Sequence, residues 1–255
     1  MAKFYGKKLD KSKINHIIYG LHSVEAALLN KKRQHLELIV NENQRDFALK
    51  HNKKIRKIRV LNNKDFKKKF GTEQTTQGVV LKTEEFSKPS FNEFLKEEKI
   101  NSKSVIVVLD QITDPQNIGS IMRSCAIFNC RGIVVAKDNS PELTPSLFKV
   151  ASGAVEIVNY FRVTNLKRTL SDLKKNDYWI YGFDSSNNNN TEFKFTKKTV
   201  LVFGSEGKGI RDLVKKECDI LIKLKSEPNL EFKIDSLNVS NATAIALYEF
   251  YKDRN

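Results

Sequence analysis

The 255-residue chain has little of what many enzymes use for catalysis. Its four histidines, His16, His22, His35 and His51, all lie before residue 52. A Ser-His-Asp triad, a Cys-His pair or a histidine metal site therefore cannot be assembled within the C-terminal part. The three cysteines, Cys125, Cys130 and Cys218, are odd in number, and their spacing suits neither a disulfide framework nor a zinc site. They read as small buried hydrophobes in a reducing compartment, and no metal is expected. There is no G-x-x-x-x-G-K-[ST] loop, and no G-x-G-x-x-G follows any apolar run, so neither NTP hydrolysis nor a standard dinucleotide site is supported. Gly204-Ser205-Glu206-Gly207 departs from the G-x-S-x-G nucleophile elbow and has no local base. No apolar run approaches the roughly 18 residues of a membrane span, and the opening MAKFYGKKLDKSK lacks the apolar stretch of a secretory signal. No membrane partner is expected, and the location expected is cytoplasmic.

What is abundant is positive charge. The formal net charge is +15, and residues 1–85 carry 20 Lys/Arg against 9 Asp/Glu, a net of +11 that leaves +4 for the remaining 170 residues. Such an imbalance costs self-repulsion and suits a polyanionic partner, nucleic acid first of all, docking mainly on the N-terminal part. Runs such as Lys67-Lys68-Lys69 could also simply solvate a helix face.

Hydrophobic patterning divides the chain. Residues 1–15 are basic and aperiodic, a disordered arm suited to phosphate contacts. Residues 16–85 read as a compact α/β unit. It has a helix after Ser23 as N-cap, strands at 36–40, 55–61 and 78–81, and helices at 44–52 and 64–71. Residues 86–103, where hydrophobicity falls and charges accumulate around Pro89, read as a linker with a short helix at 91–96. A second domain spans 104–255. It opens with the unbroken apolar run Val105-Ile106-Val107-Val108-Leu109, as in a strand covered on both faces of a parallel sheet. Helices at 118–128, 146–152, 165–176, 211–218 and 239–251 alternate with strands at 132–136, 156–158, 179–183 and 200–203, which predicts a doubly wound α/β fold. The asparagine run 187–190 reads as a surface loop.

Three polar or glycine-rich segments each sit at the C-terminal end of a strand, where open α/β sheets place their ligands, and are expected to converge in space. They are Asp114-Pro115-Gln116-Asn117-Ile118-Gly119 continuing to Arg123, Phe203-Gly204-Ser205-Glu206-Gly207-Lys208-Gly209, and Ser236-Leu237-Asn238-Val239-Ser240. Read as D-P-x-N-x-G-x-x-x-R, F-G-x-E-G-x-G and S-L-N-V-S in that order, they resemble the three motifs of the SpoU (TrmH) branch of the SPOUT class of RNA ribose 2′-O-methyltransferases. Ile18-Tyr19-Gly20-Leu21-His22-Ser23-Val24 and Thr76-Gln77-Gly78-Val79 are similar to the ends of that family's RNA-binding domain, and Lys149-Val150-Ala151-Ser152-Gly153-Ala154 to its middle helix. Among members, the chain looks most like the bacterial enzymes that methylate a guanosine of 23S ribosomal RNA.

The resemblance implies a C-terminal trefoil-knotted methyltransferase domain with a smaller N-terminal α/β RNA-binding domain, a homodimer, S-adenosyl-L-methionine as methyl donor and structured ribosomal RNA as partner. It assigns the donor to Gly204, Leu224, Ser236, Leu237 and Asn238. It assigns the chemistry to Arg123 at the reacting hydroxyl, with Asn117, Glu206 and Asn238. Arginine stays protonated to about pH 12, so Arg123 is expected to orient phosphate and stabilise a developing alkoxide rather than act as an ordinary base. Asn117 is expected to fix Arg123 and the loop, and Glu206 either to pair with Arg123 or to cap the next helix. The stretch 224–235 departs from the family, lacking the usual opening I-P-M-type turn and the glycine shortly before S-L-N, and it is a few residues longer. Transfer RNA methylation shares every motif, and a non-catalytic ribosome-assembly factor is the reading from another class.

Overall fold

The structure, a computed structural model, describes residues 16–55, 57–84, 86, 88–186, 194–224 and 236–252. The proposed N-terminal arm and asparagine loop, and residues 225–235 of the divergent stretch, lie outside the described residues. The chain divides into two compact units, Met1–Ser87 and Lys88–Asn255.

The first unit is a four-stranded sheet with helices. β1 (His16–Tyr19), α1 (Leu21–Leu29), β2 (His35–Asn41), α2 (Arg45–Lys50), β3 (Ile58–Leu61), α3 (Asn63–Phe70), α4 (Glu73–Thr76) and β4 (Val79–Thr83) follow in chain order. The sheet order is β1-β4-β2-β3, with β2 and β3 parallel and the other pairings antiparallel. Ile39, Val80 and Phe66 form the buried centre beneath α3, with Tyr19, Leu61 and Phe70 packed around them. Ser23, expected as an N-cap, is instead a buried residue inside α1. The helix starts earlier because Gly20 adopts φ +93° and the Gln77 side chain accepts the Leu21 amide at 3.0 Å. That capping partner lies 56 residues away, beyond the reach of local pattern. The strand expected at 55–61 pairs only from Ile58, opposite Leu38.

The second unit opens with α5 (Phe91–Glu98), held by a reciprocal Ser90–Glu93 capping box. Phe94 and Leu95 are buried in the core cluster of the large sheet, so residues 88–103 pack as part of this unit rather than as a free linker. Their many charges line one face of an amphipathic helix, which made the segment look solvated. Glu98, 1 % exposed, accepts Ser104 Oγ at 2.6 Å and Arg131 Nε at 2.8 Å and ties the helix to the sheet.

β5 (Ser104–Asp110), α6 (Pro115–Ile127), β6 (Gly132–Ala136), α7 (Pro145–Ala151), β7 (Asn159–Val163), α8 (Leu166–Lys174), β8 (Trp179–Phe183), β9 (Lys198–Gly204), α9 (Asp212–Lys215), β10 (Ile220–Ile222) and α10 (Val239–Lys252) complete it. The six strands are all parallel, in the order β10-β8-β9-β5-β6-β7. All seven residues of β5 are buried, as its unbroken apolar run requires. Ile106 and Val108 face the cluster shared with α5 and α8, while α10 packs on β9 and α6. Cys125 and Cys130 are buried free thiols, and Cys218 is a half-buried one.

Three sequence expectations shift. The strand expected at 156–158 is a short 3-10 turn at Ala154–Glu156, because Ser152 and Gly153 both take positive φ and swing the chain round; pairing begins at Asn159, opposite Gly132. The helix expected at 211–218 is confined to Asp212–Lys215. β10 has only three residues and gave no readable pattern. No helix among the described residues is long and apolar enough to cross a membrane.

Candidate active site

The order of the parallel sheet reverses between β5 and β9, whose last residues, Asp110 and Gly204, are register partners. Such a switch point opens a crevice at the carboxyl ends of the strands. The three motif segments meet there.

Asp110 is fully buried and binds Arg211, which donates its backbone amide at 2.9 Å, Nε at 2.8 Å and Nη2 at 2.7 Å. This pair fastens the loop leaving β9 to the end of β5. Asp114 then caps α6, its carboxylate accepting the Gln116 amide at 2.9 Å, and Pro115 occupies the first helical position, where its missing N–H is harmless. Asn117 thereby sits in the first turn. Gly119 serves packing: a Cβ there would stand 2.4 Å from Val150 Cγ1 on α7. The first motif and the family-like segment 149–154 are thus the two sides of one close helix contact.

Gly204 has an equally local reason. A Cβ on it would lie 2.0 Å from the Gly209 carbonyl carbon and 2.2 Å from the Ile210 nitrogen, so the turn 205–209 folds directly over it. Gly209, at φ +65°, closes that turn through its amide to the Ser205 carbonyl at 2.8 Å. The turn presents Glu206 to the start of α10. There Asn238 Oδ1 accepts from Ser240 N at 2.9 Å and Ser240 Oγ at 2.6 Å, capping the helix. The Asn238 amide donates to Glu206 Oε1 at 2.7 Å and to Asn117 Oδ1 at 3.0 Å, and Asn117 Nδ2 reaches Glu206 Oε1 at 3.5 Å. One residue from each motif enters this single polar cluster.

Beside it lies a cleft of about 470 Å³ at the ends of β8, β9 and β10. Gly204, Leu224, Ser236 and Leu237 all line it, as does Glu206, while Asn238 stands next to it. The Phe183 and Phe203 rings stack at 4.7 Å and 13° at the strand ends. Asp184, which the sequence reading passed over, also lines the cleft. Burial pushes its carboxyl up, but the bonds from Lys215 and Ser186 outweigh this and hold it below the ordinary carboxylate range. Its signal was only a polar residue directly after an apolar strand. Asp110 and Arg211 were likewise unassigned.

Arg123 lies on the exposed side of α6, and its side chain makes no hydrogen bond or ion pair among the described residues. Asn117 and Glu206 bind Asn238 and each other rather than Arg123.

Residues 104–248 match the SpoU rRNA Methylase family, and residues 17–89 match the RNA 2′-O ribose methyltransferase substrate-binding domain. A TrmH family tRNA/rRNA methyltransferase of Bacillus subtilis is 38 % identical over 70 % of this chain and 71 % of its own length. The 23S rRNA (guanosine-2′-O-)-methyltransferase of Coxiella burnetii is 33 % identical over 93 % of this chain and 95 % of its own. The SpoU methyltransferase AviRb from Streptomyces viridochromogenes, solved with AdoMet, superposes with a TM-score of 0.75 at 20 % identity, covering 94 % of this chain and 90 % of that one. With both domains matched in order and the three motifs joined at one strand edge, the chain belongs to the SpoU family of RNA ribose 2′-O-methyltransferases.

Proposed function

We propose that the protein transfers the methyl group of S-adenosyl-L-methionine to the ribose 2′-hydroxyl of a guanosine in 23S ribosomal RNA. The observation that carries the reading is the Asn117–Glu206–Asn238 cluster, one residue per motif, beside a cleft with room for the donor. The ribosomal target draws support from the Coxiella burnetii relative. Transfer RNA is the second reading, since other relatives carry a combined tRNA/rRNA name.

The cleft fits that donor. Backbone at Gly204 and apolar surface at Leu224 and Leu237 suit an adenosine, and Ser236 and Asp184 add polar partners. The bound donor supplies an electrophilic methyl carbon on a sulfonium. The chain's residues do the rest. Glu206, held by Asn117 and Asn238, fixes the 205–209 turn against α10 and so sets the mouth of the cleft. Arg123, free of partners among the described residues, faces outward, where an RNA phosphate and the hydroxyl losing its proton would be met.

The first unit captures RNA. Its sheet buries one acid, Glu37, already surrounded by Arg59 at 2.8 Å, Lys82 at 3.2 Å and Lys57 at 3.5 Å, so the surface there stays positive. A homodimer and a knotted C-terminal segment are part of the proposal by family membership. The exposed Ile127, Tyr248 and Tyr251, with both tyrosine rings against Phe128, offer an apolar face of α6 and α10 for the second copy. A cytoplasmic location follows from a ribosomal RNA substrate.

Mapping 2′-O-methylation in 23S and transfer RNA from cells with and without the gene tests the function. Loss of one 23S guanosine methyl supports it, and loss confined to transfer RNA transfers the assignment. Titrating the protein calorimetrically with S-adenosyl-L-methionine tests catalysis against a purely structural role. No heat at millimolar donor would sink the enzyme reading.

A further inference from the structure

The large sheet is not the only place where parallel strands end at a cleft. In the first unit β2 and β3 are the parallel pair, and both stop at one edge, at Asn41 and Leu61. The segments leaving them, 42–44 and 62–63, enclose with α3 a cleft of about 430 Å³. Its walls carry Asn41, Asn43, Asn63, Lys67 and Thr72 over Phe66, which is buried at the floor.

The cleft is built rather than incidental. Asn41 lines it although only 1 % exposed, and its carboxamide occupies the space that a side chain at position 78 would fill. A Cβ on Gly78 would lie 2.5 Å from Asn41 Oδ1 and 2.9 Å from Nδ2, and Gly78 also takes φ +74°. The turn Thr76-Gln77-Gly78 therefore keeps a carboxamide at the base of the cleft. Across the mouth, Asn63 Nδ2 donates to Asn43 Oδ1 at a long 3.4 Å, a contact that a stronger partner can replace.

Carboxamides present a donor and an acceptor side by side, which is the pattern of a nucleobase edge. Lys67 supplies a cation at the wall, followed along α3 by Lys68 and Lys69. The cleft has the volume of a small-ligand site and cannot admit a duplex, whose base edges are closed.

We propose that this cleft receives one unpaired nucleotide of the substrate RNA, its base edge read by Asn43 and Asn63 and its phosphate held by Lys67. The proposal rests on the chain's role as an RNA methyltransferase but concerns a site in the other unit.

The test is ultraviolet crosslinking of the full chain to total ribosomal RNA, followed by mass spectrometry of the nucleotide-bearing peptides. Adducts within residues 41–72 are expected, and adducts confined to other segments, or none, overturn the proposal. Filter binding of the same RNA supplies the second arm. Asn63→Ala, at an exposed helix position and without change of charge, should weaken binding about 10-fold at an unchanged melting temperature, as loss of a base contact does. Lys67→Gln should reduce the slope of log affinity against log salt by about one. Wild-type binding by Asn63→Ala also overturns the proposal. Transfer of labelled methyl by the wild-type protein to this RNA reads out the catalytic assignment separately. If transfer occurs and the crosslinks miss the cleft, only the nucleotide site fails; if crosslinks fall in the cleft without transfer, only the catalytic assignment fails.

Discussion

Asn238 donates to Glu206 Oε1 at 2.7 Å while its own carbonyl oxygen caps α10, so one carboxamide joins the second motif to the third and starts the last helix. Asn238→Asp separates the two roles. The carboxylate still accepts from Ser240 but places a second negative charge against Glu206. We expect the melting temperature to change little and methyl transfer to fall roughly 100-fold through mispositioning of the site. Rates measured with labelled donor decide it, and near-normal turnover would remove Asn238 from the site.

Gly204→Ala should be severe. Its Cβ would meet backbone at 2.0 Å rather than a side chain that can rotate away, so the 205–209 turn must shift. Overpacking of this kind costs about 1–3 kcal/mol. Donor titration should show binding lost, with the melting temperature lowered; intact donor affinity would show that the turn tolerates the move.

The Asp110–Arg211 pair makes a stability prediction. Arg211→Gln leaves a fully buried carboxylate with the Arg211 backbone amide as its remaining described partner. Removal of one member of a buried pair costs about 3–5 kcal/mol, and the half-exposed position of Arg211 puts this case near the lower end. Urea unfolding monitored at Trp179 measures it, and a change below about 1 kcal/mol would refute the structural role.

Asp184 predicts an acid limit. Its carboxyl lies below the ordinary value of 3.8 in the folded protein, so its stabilising contribution is present above that pH. As pH falls below 3.8 the unfolded chain takes up the proton first, and the contribution disappears as pH passes through the lowered native value. Unfolding free energies from pH 6 to 3 should decline less steeply in Asp184→Asn than in the wild type. Parallel curves would show that Asp184 does not contribute.

Arg123→Ala is expected to abolish methyl transfer while leaving donor affinity and melting temperature nearly unchanged, because the Arg123 side chain is exposed and makes no hydrogen bond or ion pair among the described residues. Retained activity would refute its assignment to the reacting hydroxyl.

Cys218 offers a chemical check. Burial, reinforced by Asp219, pushes its thiol up to about 12, so it should be almost wholly protonated at pH 8 and react with iodoacetamide far more slowly than a free thiol. Rapid labelling of Cys218 would contradict its packing against Gly182 of β8.

Residue pattern alone made several features legible. The unbroken run at 105–109 announced a strand buried on both faces, the skewed charge pointed to a polyanion, and three ordered motifs carried the family. These are local or compositional properties, dictated by what each segment must bury, cap or repel.

What only the tertiary structure decided are relationships between distant segments. Gln77 rather than Ser23 caps α1 from 56 residues away. Residues 88–103 join the second core although their charges suggested a linker, because half of an amphipathic helix is hidden by a partner that its own pattern does not name. Glycines that marked the motifs owe their identity to neighbours, Val150 for Gly119 and the 209–210 backbone for Gly204. The sequence offers Glu206 two roles and the fold gives it a third, because its partners, Asn117 in the first turn of α6 and Asn238 at the start of α10, reach it only when the parallel sheet forms. The residue types of the site are thus set locally, while their pairing depends on long-range contacts that no spacing along the chain encodes.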